Sequence, residues 1–186
     1  MKVAIITDQH FGSHKGSQLY LDYYSEFYEN IFFPWLKRNK ITTLLDLGDT
    51  FDNRKSIDFV TLNWARKYYD TLRAMDITVH TLVGNHTAYY KNTNELNTLA
   101  LLLQDYDNVY CYDDAIDLDI GGTSILFVPW ICAENYDKSL KTIRNSTSKV
   151  AMGHLELSGY LARPGFVYEH GMDAVSYTHL TLPTKA

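Results

Sequence analysis

Short apolar runs that alternate with amphipathic segments constrain the fold of this chain most strongly. "KVAIIT", "ITTLLDL" and "ITVHTLV" have the length and the β-branched content of strands. The segments between them, "QLYLDYYSEFYENIFFPWLKRN" and "IDFVTLNWARKYYDTLRAM", have helical periodicity. This β-α-β-α-β order predicts a parallel sheet covered by helices.

The first helical segment carries apolar residues at four-residue spacing, which predicts an amphipathic helix. They are Leu19, Tyr23, Phe27, Ile31 and Trp35. Pro34 is expected to kink or restart this helix near its end.

The second half of the chain changes its pattern. A helix over "NELNTLALLLQDY" and a strand over "NVYCY" continue the alternation. Two strand-like runs joined by Gly121-Gly122 then predict a hairpin, followed by a helix over "YDKSLKTIRNS" and a strand over "KVAMG". With 186 residues and no repeat or linker, one domain is expected.

Composition and charge exclude several classes of protein. A net charge of -5 disfavours binding of nucleic acid through bulk positive potential, although it leaves open an enzyme that acts on nucleic acid. Cys111 and Cys132 lack metal or redox spacing. No apolar run approaches the roughly 18 residues needed to span a bilayer, and no leader is visible, so a cytoplasmic protein is expected.

Polar side chains that can bind metal follow four of the predicted strands. They are Asp8 and His10, then Asp49, then Asn85 and His86, and finally His154. Because ligands bind at the carboxyl ends of the strands in an open parallel sheet, these residues are expected to converge. Each alone also fits an ordinary cap, turn, surface or core role, but their joint recurrence favours a metal site.

The chemistry of the set is consistent. Two carboxylates, two imidazoles and an amide oxygen suit manganese, iron or zinc. Strand alternation is expected to point Asp8 and His10 to the same face. Asp49 can bridge two cations roughly 3.5–4 Å apart, with Asn85 and His154 serving the second cation.

Taken in order, the motifs D-x-H, G-D-x-x-D, G-N-H and G-H resemble the calcineurin-like metallophosphoesterases. That resemblance implies an α-β-β-α sandwich, of which the N-terminal β-α-β-α-β half is readable here and the second half incomplete. The segments "DQHFG", "LGDTFDNRK", "VGNHTAYYKN", "VPWICAEN" and "GHLELSGY" are similar to the SbcD-type nuclease subunits, including those of tailed phages.

The resemblance implies roles for individual residues. Asp8, His10 and Asp49 would hold one metal, and Asp49, Asn85 and His154 the other, with Mn²⁺ as the usual ion. His86 would be catalytic, as an acid or a stabiliser of developing charge. Asp52 would be a structural partner. The family commonly has an aspartate after this histidine, whereas this chain has Thr87.

Substrate and partners follow from the same resemblance. Arg54, Tyr89, Tyr90 and Lys91 follow the metal motifs and could contact DNA, or simply form solvated loops. The implied function is a metal-dependent DNA nuclease subunit for recombination or repair that works with an SbcC-type coiled-coil ATPase. Relatives suggest a homodimer, and the location would be the bacterial host cytoplasm if the protein is phage-encoded. The alternatives are a stand-alone phosphoesterase on small substrates and a non-catalytic scaffold that binds DNA or the ATPase.

The end of the chain departs from the family pattern. The expected domain covers residues 1–172, and residues 173–186 resemble translated adapter sequence. The family's G-H-x-H motif is not found after Gly153-His154, since neither His170 nor His179 forms one. The chain is therefore expected to be C-terminally truncated and inactive by itself.

Overall fold

Four parallel strands form the first sheet of the computed structural model, which describes residues 1–167, 169 and 171–173. The strands are β1 (Ala4–Ile6), β2 (Thr43–Asp46), β3 (Thr78–Leu82) and β4 (Val109–Tyr112), in the order β1-β2-β3-β4. The predicted parallel sheet is confirmed. His170 and the segment 174–186, which includes His179, lie outside the described residues.

Helices fill the connections between these strands. After a short turn α1 (Ser13–Gly16), α2 (Gln18–Phe27) continues through a π-helical turn (Tyr28–Phe32) into α3 (Phe33–Arg38). Pro34 lies in the first turn of α3, where the helix restarts as predicted. Helix α4 (Phe59–Ala74) and helix α5 (Thr98–Leu103) complete the set, and the Asp58 carboxylate caps α4.

The second sheet has three strands. β5 (Ile116–Ile120) and β6 (Thr123–Val128) form the predicted hairpin. Helix α6 (Tyr136–Asn145) then leads to β7 (Val150–Gly153), which pairs parallel to β6. Four short strands follow: β8 (Leu157–Ser158), β9 (Leu161–Arg163), β10 (Phe166–Val167) and β11 (Met172–Asp173).

The two sheets pack face to face, and helices cover their outer faces. Leu45 and Leu82 of the first sheet share a buried cluster with Ile120, Ile125 and Phe127 of the second. A larger cluster joins the first sheet to α4, α5 and the α2–α3 helix, while a smaller one joins the second sheet to α6. The expected α-β-β-α order is thus present. In the part of the chain that the structure describes, every helix is too short or too polar to cross a bilayer.

The predicted apolar stripe of the first long helix does not face the core. Leu19, Tyr23, Phe27, Ile31 and Trp35 are between 41% and 64% exposed. The buried positions are instead Leu21, Tyr28, Phe32 and Leu36. Both sets recur at about four residues, so periodicity alone could not choose between them. Packing among aromatic side chains selects the buried set, since the Tyr28 ring packs on those of Phe11 and Tyr68.

A buried carboxylate connects the loops that follow β1 and β2. Asp46, only 1% exposed, accepts hydrogen bonds from Gln9 Nε2 at 3.0 Å, Thr50 Oγ1 at 2.7 Å and the Gly48 amide at 3.2 Å. The Tyr28 hydroxyl donates to Gln9 Oε1 at 2.6 Å. Gln9 lies between Asp8 and His10 in the first loop, and Gly48 and Thr50 lie in the second. This hydrogen-bond network therefore holds the two loops together.

Burial also alters the titration of this carboxyl. Loss of hydration raises the pKa of Asp46 from 3.8 to about 7, and the hydrogen bonds that it accepts oppose only part of that rise. In the unfolded chain the same group titrates near 3.8. Between these values the folded state binds more protons than the unfolded state, so stability falls as pH rises through this window.

Replacing Asp46 with asparagine should remove this pH dependence. Asp46→Asn is expected to be less stable than wild type at pH 5, because one amide hydrogen faces the Gly48 N–H. The difference in unfolding free energy between the two proteins should narrow by about 3 kcal/mol by pH 8, since the pKa of Asp46 lies about two units above pH 5 and each unit corresponds to about 1.4 kcal/mol. Thermal unfolding of both proteins at the two pH values measures the gap. Asp105→Asn, at an exposed position, is the control, and a gap that stays constant with pH would contradict the prediction.

Candidate metal centre

Three predicted ligands have left-handed backbone conformations. The φ angles of Asp8, His10 and Asp49 are 51°, 47° and 51°. Because β1 ends at Ile6, Asp8 and His10 lie in a loop, and alternation along a strand is not what orients them. Such non-glycine conformations cost of order 1–3 kcal/mol each and are found mostly at functional sites.

Backbone hydrogen bonds between two loops maintain these conformations. The amides of Asp8, His10 and Phe11 donate to the carbonyls of Gly48, Asp49 and Thr50, at 3.0, 2.9 and 2.8 Å. The two loops therefore run side by side like strands beyond the end of the sheet. Asp8, His10 and Asp49 are held at one edge by this pairing.

One possible metal-binding group contains Asp8, Asp49 and His154. One ligand atom from each lies within 4.8 Å of the others. His154 follows β7 of the second sheet, so the group joins both halves of the sandwich. Its Nε2 is 3.3 Å from Asp49 Oδ2 and 2.9 Å from Asn85 Oδ1.

The hydrogen bonds of His154 show that this pocket suits a cation. His154 Nδ1 lies 3.0 Å from the Leu47 carbonyl oxygen, which can only accept, so Nδ1 carries a hydrogen. In the neutral ring, the Nε2 lone pair then faces the oxygens of Asn85 and Asp49. Three electron-rich atoms face one another, an arrangement that either a proton on Nε2 or a metal ion stabilises.

The pKa values of the two charged groups follow from this contact. Burial acts to lower the pKa of His154, but the hydrogen bond and charge of Asp49 raise it above its usual value. Burial likewise acts to raise the pKa of Asp49, yet the hydrogen bond and charge of His154 lower it. Without a metal, the pair favours an imidazolium beside a carboxylate. A metal ion would have to displace that proton.

A second possible group contains His10, Asp49 and His86. The His10 and His86 rings meet edge to face at 4.9 Å. The His86 amide donates to Asp49 Oδ1 at 2.8 Å, and His86 Nδ1 lies 2.6 Å from the Asp52 carbonyl oxygen. Because Nδ1 donates to that carbonyl, His86 Nε2 is left as the acceptor nitrogen. The Asp52 carboxylate lies 3.3 Å from His10 Nδ1.

Two residues beside His86 shape its turn. The Thr87 hydroxyl is buried and bonds both the amide and the carbonyl of Gly84, at 2.9 and 3.0 Å. Thr87 therefore closes the turn, and the Asp52 carbonyl orients His86. A Cβ on Gly84 would lie 2.5 Å from the Asp49 amide nitrogen, so this position requires glycine.

The structure brings together the five predicted ligands and His86. Asp49 belongs to both groups, and its role as a bridge stays a prediction. Asp8 lies with His154 in one group and His10 lies with His86 in the other, while His10 Nε2 is also 3.7 Å from Asp8 Oδ1. Asp49 is the residue that the two groups share.

The predicted substrate residues lie in a neighbouring region. Arg54 and Tyr89 line the same cleft beside the site. Tyr90 and Lys91 are exposed on the loop that follows, where the Tyr90 ring meets the ring of Tyr89 at 4.8 Å. None of these four residues belongs to either metal-binding group.

Sequence reasoning missed the residues that support the site. A carboxylate within the apolar run "TLLDL" was a signal for Asp46, because an unpaired charge is costly in a buried strand. Gln9 lies between the predicted ligands Asp8 and His10 and gave no signal of its own. The carbonyls of Leu47 and Asp52 carry no signal in a sequence, since any residue supplies a carbonyl.

Comparison with known proteins identifies relatives. Residues 1–181 match the profile of the calcineurin-like phosphoesterases. Exonuclease subunit 1 of Enterobacteria phage T4 is 40% identical over 137 residues, which cover 74% of this chain and 40% of that protein. Putative phosphoesterase 078R of Invertebrate iridescent virus 3 is 28% identical over 131 residues, covering 67% of this chain and 37% of the relative. The chain therefore spans less than half the length of either relative.

Replacing Asp49 should reduce metal binding more than replacing a residue that belongs to only one of the two groups. Asp49→Asn removes a carboxylate from both groups, whereas Asn85→Ala removes one neutral oxygen near His154. We expect Asp49→Asn to bind fewer manganese ions per chain than Asn85→Ala, as measured by elemental analysis after dialysis against MnCl₂. Circular dichroism of both variants controls for folding. Equal manganese content in two folded variants would show that Asp49 does not bridge.

Proposed function

Because the chain belongs to the calcineurin-like phosphoesterase family, we propose that it carries out metal-dependent hydrolysis of phosphodiester bonds in DNA. The observation that carries this proposal is the convergence of ligand-type side chains from both sheets around Asp49. The similarity to a phage exonuclease subunit supports DNA as the substrate. The activity, substrate and partners of the whole protein are proposals, since the chain spans 40% of that relative.

Two divalent cations, which we propose to be Mn²⁺, would be held by five side chains. Those are Asp8, His10, Asp49, Asn85 and His154. Bound cations of this kind polarise a phosphate oxygen and lower the pKa of a bound water. The neutral amide of Asn85 limits the negative charge of the set. That limit matters because the substrate is itself an anion.

His86 is proposed as the catalytic residue. The Asp52 carbonyl holds its Nδ1 hydrogen, so the ring has one orientation and one tautomer. From Nε2, a protonated His86 donates a hydrogen bond to the phosphate or a proton to the leaving oxygen. The backbone amide of His86 meanwhile donates to Asp49 Oδ1, so the acid and the bridging carboxylate are positioned together.

We also propose which residues contact the DNA and which proteins assemble with this one. Arg54, Tyr89, Tyr90 and Lys91 are proposed to contact the DNA strand. The word "subunit" in the relative's name supports assembly with a second protein, for which an SbcC-type coiled-coil ATPase is our proposal. A homodimer, a role in recombination or repair and action in the bacterial host cytoplasm belong to the same proposal.

Replacing His86 tests its role. His86→Ala should lower the turnover number by about 10²–10⁴-fold, the usual contribution of a positioned acid. Manganese content should stay near that of wild type, because His86 would then be no ligand. Because His86 lies close to His10 and Asp49, the manganese content of the variant decides whether His86 is a ligand. Loss of one or both metals in the variant would make His86 a ligand instead.

Choice of substrate tests the function itself. The gene is extended with its natural downstream sequence where needed. The protein should then cleave linear DNA with Mn²⁺ far faster, per unit of enzyme, than it hydrolyses bis-p-nitrophenyl phosphate. Addition of EDTA should abolish both reactions. Hydrolysis of the small diester alone would favour a phosphoesterase on small substrates. Absence of both activities in a metal-loaded protein would favour the non-catalytic scaffold.

A further inference from the structure

A cleft lies beside the metal centre. Its volume is about 300 Å³, and its walls are the loop that follows Asp52 and the segment that follows His86. Asn53 and Arg54 come directly after Asp52, whose carbonyl bonds His86, and Tyr89 lies three residues beyond His86. A strand whose phosphate occupies the metal centre would therefore have an adjoining nucleotide at this cleft.

The cleft has the size and the walls of a site for one flat ring system. Its volume is at the lower end of small-ligand pockets, which range over about 300–1,000 Å³. Apolar side chains dominate its surface: Ile57, Tyr89, Leu96, Leu101 and Leu102. A base pair within a duplex is too wide to enter such a space. A single base has aromatic faces that can stack on Tyr89.

The charge at the cleft favours a nucleic acid ligand. Two basic residues, Arg54 and Lys55, contribute to its lining, and no acidic residue does so in the part of the chain that the structure describes. This is notable in a chain whose net charge is -5. By contrast, a cavity of similar volume near α6 is lined by Glu95, Asp113 and two further acids. The basic cleft is therefore the one that suits a phosphodiester strand.

Arg54 is fixed in place but incompletely hydrogen-bonded. Its guanidinium carbon lies 5.1 Å from the centre of the Trp130 ring, a cation–π contact with a buried side chain. Its Nη1 is buried and has no hydrogen-bond acceptor among the described residues. A buried donor without a partner is unfavourable, and a shift of the guanidinium toward the cleft would let a base carbonyl, a ring nitrogen or a phosphate oxygen satisfy it.

We propose that this cleft binds an unpaired nucleobase next to the scissile phosphate, so that the protein selects single-stranded or frayed DNA ends. The choice of a nucleobase as the ligand rests on the proposed nuclease function. Tyr89 stacks on the base, and Arg54 donates to its edge or to the neighbouring phosphate. A fully paired end must first open one base pair.

Fluorescence anisotropy in EDTA measures this binding without any cleavage. The probes are a short fluorescein-labelled single strand and a hairpin of the same length with a blunt G·C-closed end, at one fixed salt concentration. Wild type should bind the single strand more tightly. Tyr89→Ala should weaken binding of the single strand by about tenfold, the order expected for one lost base stack. Tyr89→Phe, which keeps the ring, should bind within about twofold of wild type.

Two further variants make the result specific. Leu101→Trp fills the cleft from an exposed position and should weaken binding of the single strand like Tyr89→Ala. Tyr136→Ala, on α6, removes a tyrosine of similar exposure, 43% against 37% for Tyr89, and should bind like wild type. Equal affinity of wild type for the two probes, or equal losses in Tyr89→Ala and Tyr136→Ala, would overturn the proposal.

Hydrolysis of bis-p-nitrophenyl phosphate by wild type separates the cleft from the proposed reaction. This small diester needs the metal centre but has no base to place in the cleft. If wild type hydrolyses the diester but the cleft variants bind the single strand like wild type, the proposed role of the cleft is refuted and the proposed reaction is not. Binding that depends on Tyr89 and Leu101 without hydrolysis refutes catalysis by this chain alone and supports the cleft as a nucleic-acid site.

Discussion

The pairing of the two loops after β1 and β2 is the interaction on which the site depends. Backbone hydrogen bonds join these loops beyond the end of the sheet, and the Asp46 carboxylate joins them again from below through Gln9 and Thr50. The pairing compensates for the left-handed backbone of Asp8 and Asp49, which isolated loops would not adopt. The ligands are thus positioned by the fold before any metal binds.

This arrangement concentrates negative charge in a small space. Asp8 and Asp49 lie near His154, whose Nε2 also contacts the oxygen of Asn85, and the adjoining Asp52 carboxylate faces His10. In the absence of a metal, Asp49 outweighs the effect of burial and raises the pKa of His154, which favours a proton at the centre. Metal binding and protonation therefore compete for the same place. The affinity for a divalent cation should rise with pH as this proton is released.

The sequence predicted the order of the main elements and the set of side chains at the site, because periodicity and strand-end motifs are local signals. It did not predict which face of the α2–α3 helix is buried. Both the stripe through Phe27 and the one through Phe32 recur at about four residues. The choice was made by the aromatic cluster around Phe11, Tyr28 and Tyr68, which joins segments far apart in sequence. Long-range packing of this kind leaves no periodic signal.

The same reasoning explains why the orientation of His86 could not be predicted. A motif specifies side chains, whereas the partner of His86 Nδ1 is the main-chain carbonyl of Asp52, 34 residues away. Thr87 stands where the family commonly has an aspartate, and its hydroxyl closes the turn on Gly84. The main chain of Asp52 therefore orients the imidazole. A carbonyl oxygen only accepts, so the contact with Asp52 keeps a hydrogen on His86 Nδ1 and leaves Nε2 to face the site.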